Sequence, residues 1–350
     1  MTVQERSYRI AIVGATGVVG QEMVRQLEKS RIPVASLKLL ASPRSAGKVM
    51  SFRGESHTVE VADPEIFSSV DVVLMSAGGT TARSLAPEAV RRGAVVIDNS
   101  SAFRLDETVP LVVPEVNPEA LALHQGVIAN PNCSTIQMVV ALKPLASHYG
   151  LKRVVVSTYQ AVSGAGQGAL SQLHSELEAD QKGVTVEPSY LPVASLNVKY
   201  PIVDNVLPQI DKFEDNGFTF EEMKMIRETQ KILSQPDLEV AATCVRVPVR
   251  VGHAESVYVE LERPVPHIEA VMDILRAQEG LIVWDDPSVQ KYPTPLLVRG
   301  ENEVYVGRVR RDLYRENGLH LWIVADNLVK GAAGNAVQIL EKLIDHKLLS

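Results

Sequence analysis

Cysteine is scarce: the 350-residue chain has two, Cys133 and Cys244. So wide a separation excludes the close cysteine pairs of a zinc site and the density of a disulfide scaffold, and it fits a reducing compartment; no metal is expected. No uninterrupted apolar run approaches the roughly 18 residues of a membrane helix. Met1 to Arg9 carries charges and is not followed by an apolar stretch with a cleavage site, so neither a membrane span nor a secretory leader is expected. A concentrated stripe of basic charge is lacking too. The net charge of −7 is spread along the chain and leaves no stripe to neutralise a nucleic acid. Repeats and low-complexity segments are absent. What remains is a chain of 45% hydrophobic composition, able to bury a full core and long enough for two domains, with a cytoplasmic location expected.

The first part alternates short β-branched runs (Tyr8–Val13, Leu37–Leu40, Val70–Met75, Val95–Ile97) with helical patterns (Val19–Leu27, Leu85–Arg92). That rhythm predicts βαβ units and a parallel, doubly wound sheet. Near Gly150 the pattern changes to longer strands, Arg153–Gln160, Val240–Arg250 and Ser256–Leu261, with helices at Leu170–Ala179 and Phe220–Leu233. The expected fold is α/β: a Rossmann-like domain of residues 1–132 plus 328–350, with an α+β domain of residues 133–327 inserted. The last segment, Leu328 to Leu348, has helical apolar spacing. Its opening Gly331-Ala-Ala-Gly334 suits either close helix packing or a ligand passing over the turn.

Strand Tyr8–Val13 runs into Gly14-Ala-Thr-Gly17-Val-Val-Gly20 and then a helix. A glycine turn there presents backbone N–H groups and a helix N-terminus to a pyrophosphate, although any tight βα turn also needs glycine. The second strand ends in Ala41-Ser42-Pro43-Arg44-Ser45, where an NAD site would place an acid. A cation and hydroxyls suit a ribose 2′-phosphate, which favours NADP, unless Arg44 is only a solvated charge. Ser76-Ala-Gly78-Gly79 forms a second glycine turn that would floor the cofactor site.

Asn130-Pro-Asn132-Cys133 follows the short strand Val127–Ala129 and opens a helical pattern running to about Leu145, which puts Cys133 in a first helical turn. The macrodipole and unpaired N–H groups stabilise a thiolate there and make it nucleophilic. Cys244, inside Ala241-Ala-Thr-Cys-Val-Arg-Val, reads as buried core. A nucleophilic thiol with a nicotinamide implies addition to an aldehyde, hydride loss to NADP⁺ and attack on the acyl-thioester by water or phosphate. This needs a base. Of eight histidines, His253 stands out because it follows Gly252 at a break between strands; His148, His174 and His346 sit in polar or helical surroundings.

The segments GATGVVG, SAGG, SSAFR, PNCSTIQ, STYQAVSGAG, FEEMKM, ATCVRVPVRVGHAES and DNLVKGAAGNAVQ, in this order throughout the chain, resemble the aspartate-semialdehyde dehydrogenase family. The resemblance implies reversible, NADPH-dependent conversion of L-4-aspartyl phosphate to aspartate semialdehyde and phosphate, on the route to lysine through diaminopimelate and to threonine, methionine and isoleucine. It makes Cys133 the nucleophile, His253 the proton acceptor and donor, and Gln160 the residue that orients the substrate. It assigns Arg246 to the substrate α-carboxylate, Arg104, Lys224 and Asn132 to the phosphate, and Glu221 to the amino group. Gly14, Thr16, Gly17, Val18, Val19, Arg44, Ser45, Ser76, Gly78, Ser163, Gly164 and Asn327 are expected at the cofactor. A homodimer is implied, with a tetramer as the alternative.

The residues themselves agree in part. Thr219-Phe-Glu-Glu222 has capping-box spacing, which gives Glu222 a structural task. Glu221 and Lys224, three apart, share a helix face and form either an ion pair or a site for a zwitterionic, phosphorylated substrate. On the strand predicted over Thr243–Val251 the odd positions from Val245 are valine, so Arg246 and Arg250 point together away from an apolar face, and periodicity does not choose between them. N-acetyl-γ-glutamyl-phosphate reductase is the nearest rival. Its cysteine sits in a GCYPT-like context, unlike Asn132-Cys133-Ser134, and its acetylated substrate has no free amino group for a glutamate to meet.

Overall fold

Successive side chains of strand β1 (Tyr8–Val13) enter two different cores: Ile10 and Ile12 pack on one face, Ala11 and Val13 on the other. A strand buried on both faces is what a parallel sheet covered by helices requires. The structure, a computed structural model, describes residues 6–349. The first five residues of the N-terminal stretch read above for a leader, and residue 350 of the expected C-terminal segment, lie outside the described residues.

After β1 come β2 (Val34–Ala41), a hairpin of β3 (Val49–Phe52) and β4 (Glu55–Thr58), then β5 (Glu60–Val61), β6 (Val72–Met75), β7 (Val95–Asp98) and β8 (Val127–Ala129). Six of them form a parallel sheet in the order β5-β2-β1-β6-β7-β8. Helix α1 (Val18–Lys29) and the C-terminal helix (Gly334–Asp345) cover the face of Ile10, while α2 (Gly79–Arg91) covers the face of Ala11. The chain leaves β1 toward β2 on one side and returns to β6 on the other, so strand order reverses beside β1. Open α/β sheets bind their ligands outside the carboxyl ends of the strands at such a point.

Two compact units result: residues up to 131 together with those from 332 onward, and Asn132–Gly331. The second is built on β9 (Leu151–Gln160), β10 (Glu239–Arg246), β11 (His253–Leu261), β12 (Leu281–Val283), β13 (Val304–Arg311) and β14 (Gly318–Ala325), in the order β10-β9-β11-β14-β13-β12 with mixed pairing. Helices α3 (Cys133–Tyr149) and α5 (Phe220–Ile232) pack on the inner face of this sheet; α4 (Gln167–Gln181) has a small core of its own, and α6 (Ile268–Arg276) leans on α3. Along β9, Val154, Val156, Thr158 and Gln160 point inward and are buried, whereas Val155 and Tyr159 on the outer face stay more than a third exposed.

Three details differ from the expectations. Helix α2 begins at Gly79, not Leu85, because its first turns are polar and small and carry little apolar periodicity. The C-terminal segment is not one helix: a π-helical turn, Val329–Ala333, precedes the α-helix. Strand β10 ends at Arg246, where Leu207 bridges its outer edge, and the chain turns at Pro248. The expected strand to Arg250 therefore does not form, and the buried face of β10 is not the valine face but that of Ala242, Cys244 and Arg246, pressed toward α5. Glu222 closes its capping box through Thr219 N–H and with its other oxygen accepts the Cys244 N–H at 3.0 Å.

Candidate active site

In the first unit the carboxyl ends of β1, β2 and β6 border a cleft of about 620 Å³ lined by Gly14, Thr16, Gly17, Ser42, Arg44, Ser45 and Ser76, among others. No carboxylate is among its lining residues, and Arg44 is exposed on its wall. Gly14 is required by packing: φ is +82°, and a Cβ there would stand 2.3 Å from the Ser76 carbonyl oxygen, so the turn after β1 lies directly on the end of β6. Val18 and Val19 follow in the first turn of α1, with Val19 against the core, and Gly78 caps α2. Arg104 is also in this unit, buried, and donates from Nη2 to the Asn99 carbonyl at 2.8 Å.

The second unit gathers the reactive groups. Cys133 is the first residue of α3 and is half-buried. The preceding Asn132 is the N-cap: its Oδ1 accepts the Ser134 and Thr135 N–H groups, and its Nδ2 donates to Glu221 Oε1 at 2.8 Å. The amide of Asn132, a residue expected at the phosphate, caps the helix through its oxygen and gives one N–H to Glu221. Behind Cys133, a Cβ on Gly331 would lie 2.8 Å from the Cys133 Cβ. Close packing against Cys133 is therefore what Gly331 in that small-residue turn provides.

Glu221 is buried, and burial works to raise its carboxyl; Lys224, Asn132, Arg246 and Gln160 outweigh that and hold it at about 2, so it is an anion. Gln160 Nε2 donates to Glu221 and to Thr158 Oγ1, each at 3.2 Å. Lys224 pairs with Asp211 at 3.0 Å and Glu221 at 3.3 Å. Arg246 is buried and donates from Nη1 to the Ala161 carbonyl at 2.8 Å, while Arg250 is exposed, so β10 ending where it does separates the two arginines. Burial lowers the Arg246 guanidinium, and the charges of Glu221 and Cys133 work against that.

His253 opens β11 and is fully buried. Its Nδ1 accepts the Ala161 N–H at 3.0 Å, which leaves the proton of a neutral ring on Nε2. Burial first and then the Arg246 charge bring its pKa down to about 3. His253 Nε2 and Arg246 Nε are both buried without a hydrogen-bond partner among the described residues. Gly164 packs between them, since a Cβ there would be 3.0 Å from Arg246 Nη1 and 3.2 Å from His253 Nε2. Asn327 ties the surrounding loops, with Oδ1 accepting the Gly252 N–H at 2.8 Å and Nδ2 donating to Ser163 Oγ at 3.0 Å. The expected cofactor residues thus divide between the units, with Ser163, Gly164 and Asn327 beside His253. Cys244 is buried with its Sγ 3.6 Å from the Met225 Sδ, and burial pushes its thiol well up.

Glu228 joins this site from outside the motifs above. It is buried on α5 and accepts the Asn132 N–H at 2.6 Å, anchoring the residue before the thiol. Its position seven residues after Glu221, on the same helix face, was the available signal.

A dinucleotide cleft in one unit and a thiol clustered with guanidinium, imidazole and carboxylate in the other define an oxidoreductase of the thiol-dependent dehydrogenase class. Residues 9–124 match the family model described as semialdehyde dehydrogenase, NAD binding domain, and residues 142–330 the one described as semialdehyde dehydrogenase, dimerisation domain. The chain is 55% identical over 338 residues to aspartate-semialdehyde dehydrogenase of Bacillus subtilis (strain 168), covering 97% of this chain and 98% of the relative. Among solved structures, aspartate semialdehyde dehydrogenase II from Vibrio cholerae complexed with ASA superposes with a TM-score of 0.91 at 46% identity, covering 97% and 99% of the two chains. The aspartate semialdehyde dehydrogenase with NADP from Candida albicans follows at 0.74 and 27% identity, covering 97% and 98%. The chain belongs to the aspartate-semialdehyde dehydrogenase family. Among the described residues no helix is long and apolar enough to cross a membrane.

Proposed function

We propose that the chain catalyses the reversible reductive dephosphorylation of L-4-aspartyl phosphate to L-aspartate 4-semialdehyde with NADPH, through an acyl-thioester on Cys133. The observation that carries this reading is the pair of buried, unpartnered nitrogens, Arg246 Nε and His253 Nε2, clustered with anionic Glu221 and Cys133. A substrate with an α-carboxylate, an ammonium and a reactive carbonyl offers a counterpart to each. Arg246, its guanidinium fixed by the Ala161 carbonyl, clamps the carboxylate. Glu221 receives the ammonium, and Gln160 orients the carbonyl next to the thiol. Lys224 and Arg104 bind the phosphate, and Asn132 holds the thiol's helix end.

The Cys133 thiolate adds to the acyl carbon; the C–O bond to phosphate breaks, and the thioester forms. The nicotinamide, when bound, supplies the hydride that reduces it. His253 donates a hydrogen bond from Nε2–H to the oxygen that becomes negative and holds it until the C–S bond breaks, releasing aldehyde and thiolate. The first unit's cleft suits NADP through Arg44 and Ser45, in a wall without acids. The assembly we propose is a cytosolic homodimer, two of which would make the alternative tetramer; the outer sheet face of Val155, Tyr159 and Trp322 supports it.

The test is a steady-state assay of aspartate semialdehyde with phosphate, comparing NADP⁺ and NAD⁺. Turnover with NADP⁺ is expected, and none with Cys133→Ala. Turnover of N-acetylglutamate semialdehyde alone would reverse the assignment. Light scattering of the purified chain distinguishes dimer from tetramer.

A further inference from the structure

The chain passes between the two units twice, at Pro131–Asn132 and at Gly331–Ala332, and the nucleophile comes directly after the first crossing. Asn130, just before that crossing, is fully buried and has no part in the reaction described above. Its Nδ2 donates to the carbonyl of Ala332, the first residue after the second crossing, at 3.1 Å, and to Asn99 Oδ1 at 2.7 Å. Its Oδ1 accepts from Asn335 Nδ2 at 2.7 Å, and the same Asn335 nitrogen donates to the Val112 carbonyl at 3.1 Å. One side chain thus ties the two segments together. A step further along each of them, Gly331 packs against Cys133, where a Cβ would stand 2.8 Å from the Cys133 Cβ.

Only an amide suits these partners. Two acceptors face its nitrogen and one donor faces its oxygen, so a side chain at this position must donate twice and accept once. A carboxylate only accepts, a neutral acid donates once, and an apolar side chain strands all three buried partners. Asn335 also fixes which way the amide faces, and so points its two N–H groups at Asn99 and Ala332. Between Asn130 and the thiol each residue is held. Pro131 has its φ set by its ring, and Asn132 gives its N–H to Glu228 at 2.6 Å and its side chain to the helix end and Glu221. On the other segment the Gly331 N–H is held by the Asp326 carbonyl at 3.0 Å, and the Ala332 carbonyl by Asn130. Resting on the reading of Cys133 as nucleophile, we infer that Asn130 is a positioning residue for the thiol: its amide holds the two segments together and thereby keeps Gly331 against Cys133.

The experiment is a double-mutant cycle of Asn130→Ala with Gly331→Ala, read in kcat, in KM and in the rate of Cys133 alkylation by iodoacetamide. Asn130→Ala is expected to lower kcat about tenfold with KM within about twofold of wild type, and to change the alkylation rate in parallel. With the tie gone, the segment of residue 331 can recede from an added methyl group. The double variant should therefore fall short of the roughly hundredfold loss to which two independent tenfold effects multiply. Asn130→Asp, of the same size and still able to accept from Asn335, takes the place of Asn130→Ala in the cycle if the latter does not fold, with the same outcome expected. Losses that multiply, or a fall in melting temperature with kcat and alkylation unchanged, overturn the inference, because the amide would then support the fold without placing the thiol. Alkylation is read without substrate, so it stands or falls separately from the assay of wild-type turnover that tests the function.

Discussion

Adding one methyl group at Gly331 puts the position of the nucleophile to the test. A Cβ built there stands 2.8 Å from the Cys133 Cβ and 3.3 Å from its Cα, with the Asn327 Cβ at 3.6 Å. Ordinary contacts begin at 3.4 Å, so the two Cβ atoms must separate by at least 3.4 − 2.8 = 0.6 Å. Neither side yields easily. Cys133 is held by the Asn132 cap, itself hydrogen-bonded to Glu221 and Glu228, and the Gly331 N–H is held by the Asp326 carbonyl in the π-helical turn. Overpacking of this kind costs about 1–3 kcal/mol of stability. Displacement of a reacting atom by about 1 Å costs about a hundredfold in rate, so a shift near 0.6 Å should lower kcat by about tenfold or more. Gly331→Ala should thus show a modest fall in melting temperature, a KM close to wild type and a kcat lowered by about tenfold. The rate of Cys133 alkylation by iodoacetamide, measured without substrate, should change in parallel. A Gly331→Ala enzyme with full kcat and unchanged alkylation would refute the claim that this close approach sets the thiol's position.

Arg44→Ala should weaken NADP binding by tenfold or more, on the order of one charge-assisted contact, and leave NAD binding nearly unchanged; titration calorimetry reads both, and equal losses would mean that Arg44 does not read the 2′-phosphate. Stability should fall in acid through two groups. Below pH 6.5 the unfolded chain protonates His253 while the folded chain, with this pKa at about 3, does not. Folding is therefore penalised by about 1.4 kcal/mol per pH unit from 6.5 toward 3. Glu221, at about 2 against an ordinary 4.5, contributes stability above 4.5 that is lost as pH falls toward 2. Denaturant titrations of wild type and His253→Asn should diverge over the first window, and parallel curves would contradict the assignment. Glu222→Ala removes a capping partner and strands the Cys244 N–H, with an expected loss of about 2–4 kcal/mol by urea denaturation; a loss below about 0.5 would show that water replaces both bonds.

What could be read from the sequence was local. The glycine turn after β1, Cys133 at a helix start and the Thr219–Glu222 capping box each depend on neighbours within a few residues, and all are found where their spacing puts them. Arg246 could not be separated from Arg250 by periodicity because the strand stops at a tertiary bridge with Leu207, which no local pattern announces. The burial of Glu228 is illegible for a related reason: a carboxylate reads as surface until the fold supplies the backbone N–H that permits its burial. The close packing at Gly331 is likewise invisible locally, because its partner Cys133 lies about 200 positions earlier in the chain.

The far side of β10 has a consequence beyond catalysis. A strand at the margin of a sheet exposes unpaired N–H and carbonyl groups that invite another chain to add to it. Here the outward Cys244 N–H is taken by the Glu222 carboxylate, and both the N–H and the carbonyl of Arg246 are taken by Leu207. The margin is sealed by one helix-capping side chain and one short crossing segment, so the end of the strand that carries the buried arginine offers no template for β-aggregation, and a chain that loses Glu222 should become prone to polymerise before it unfolds.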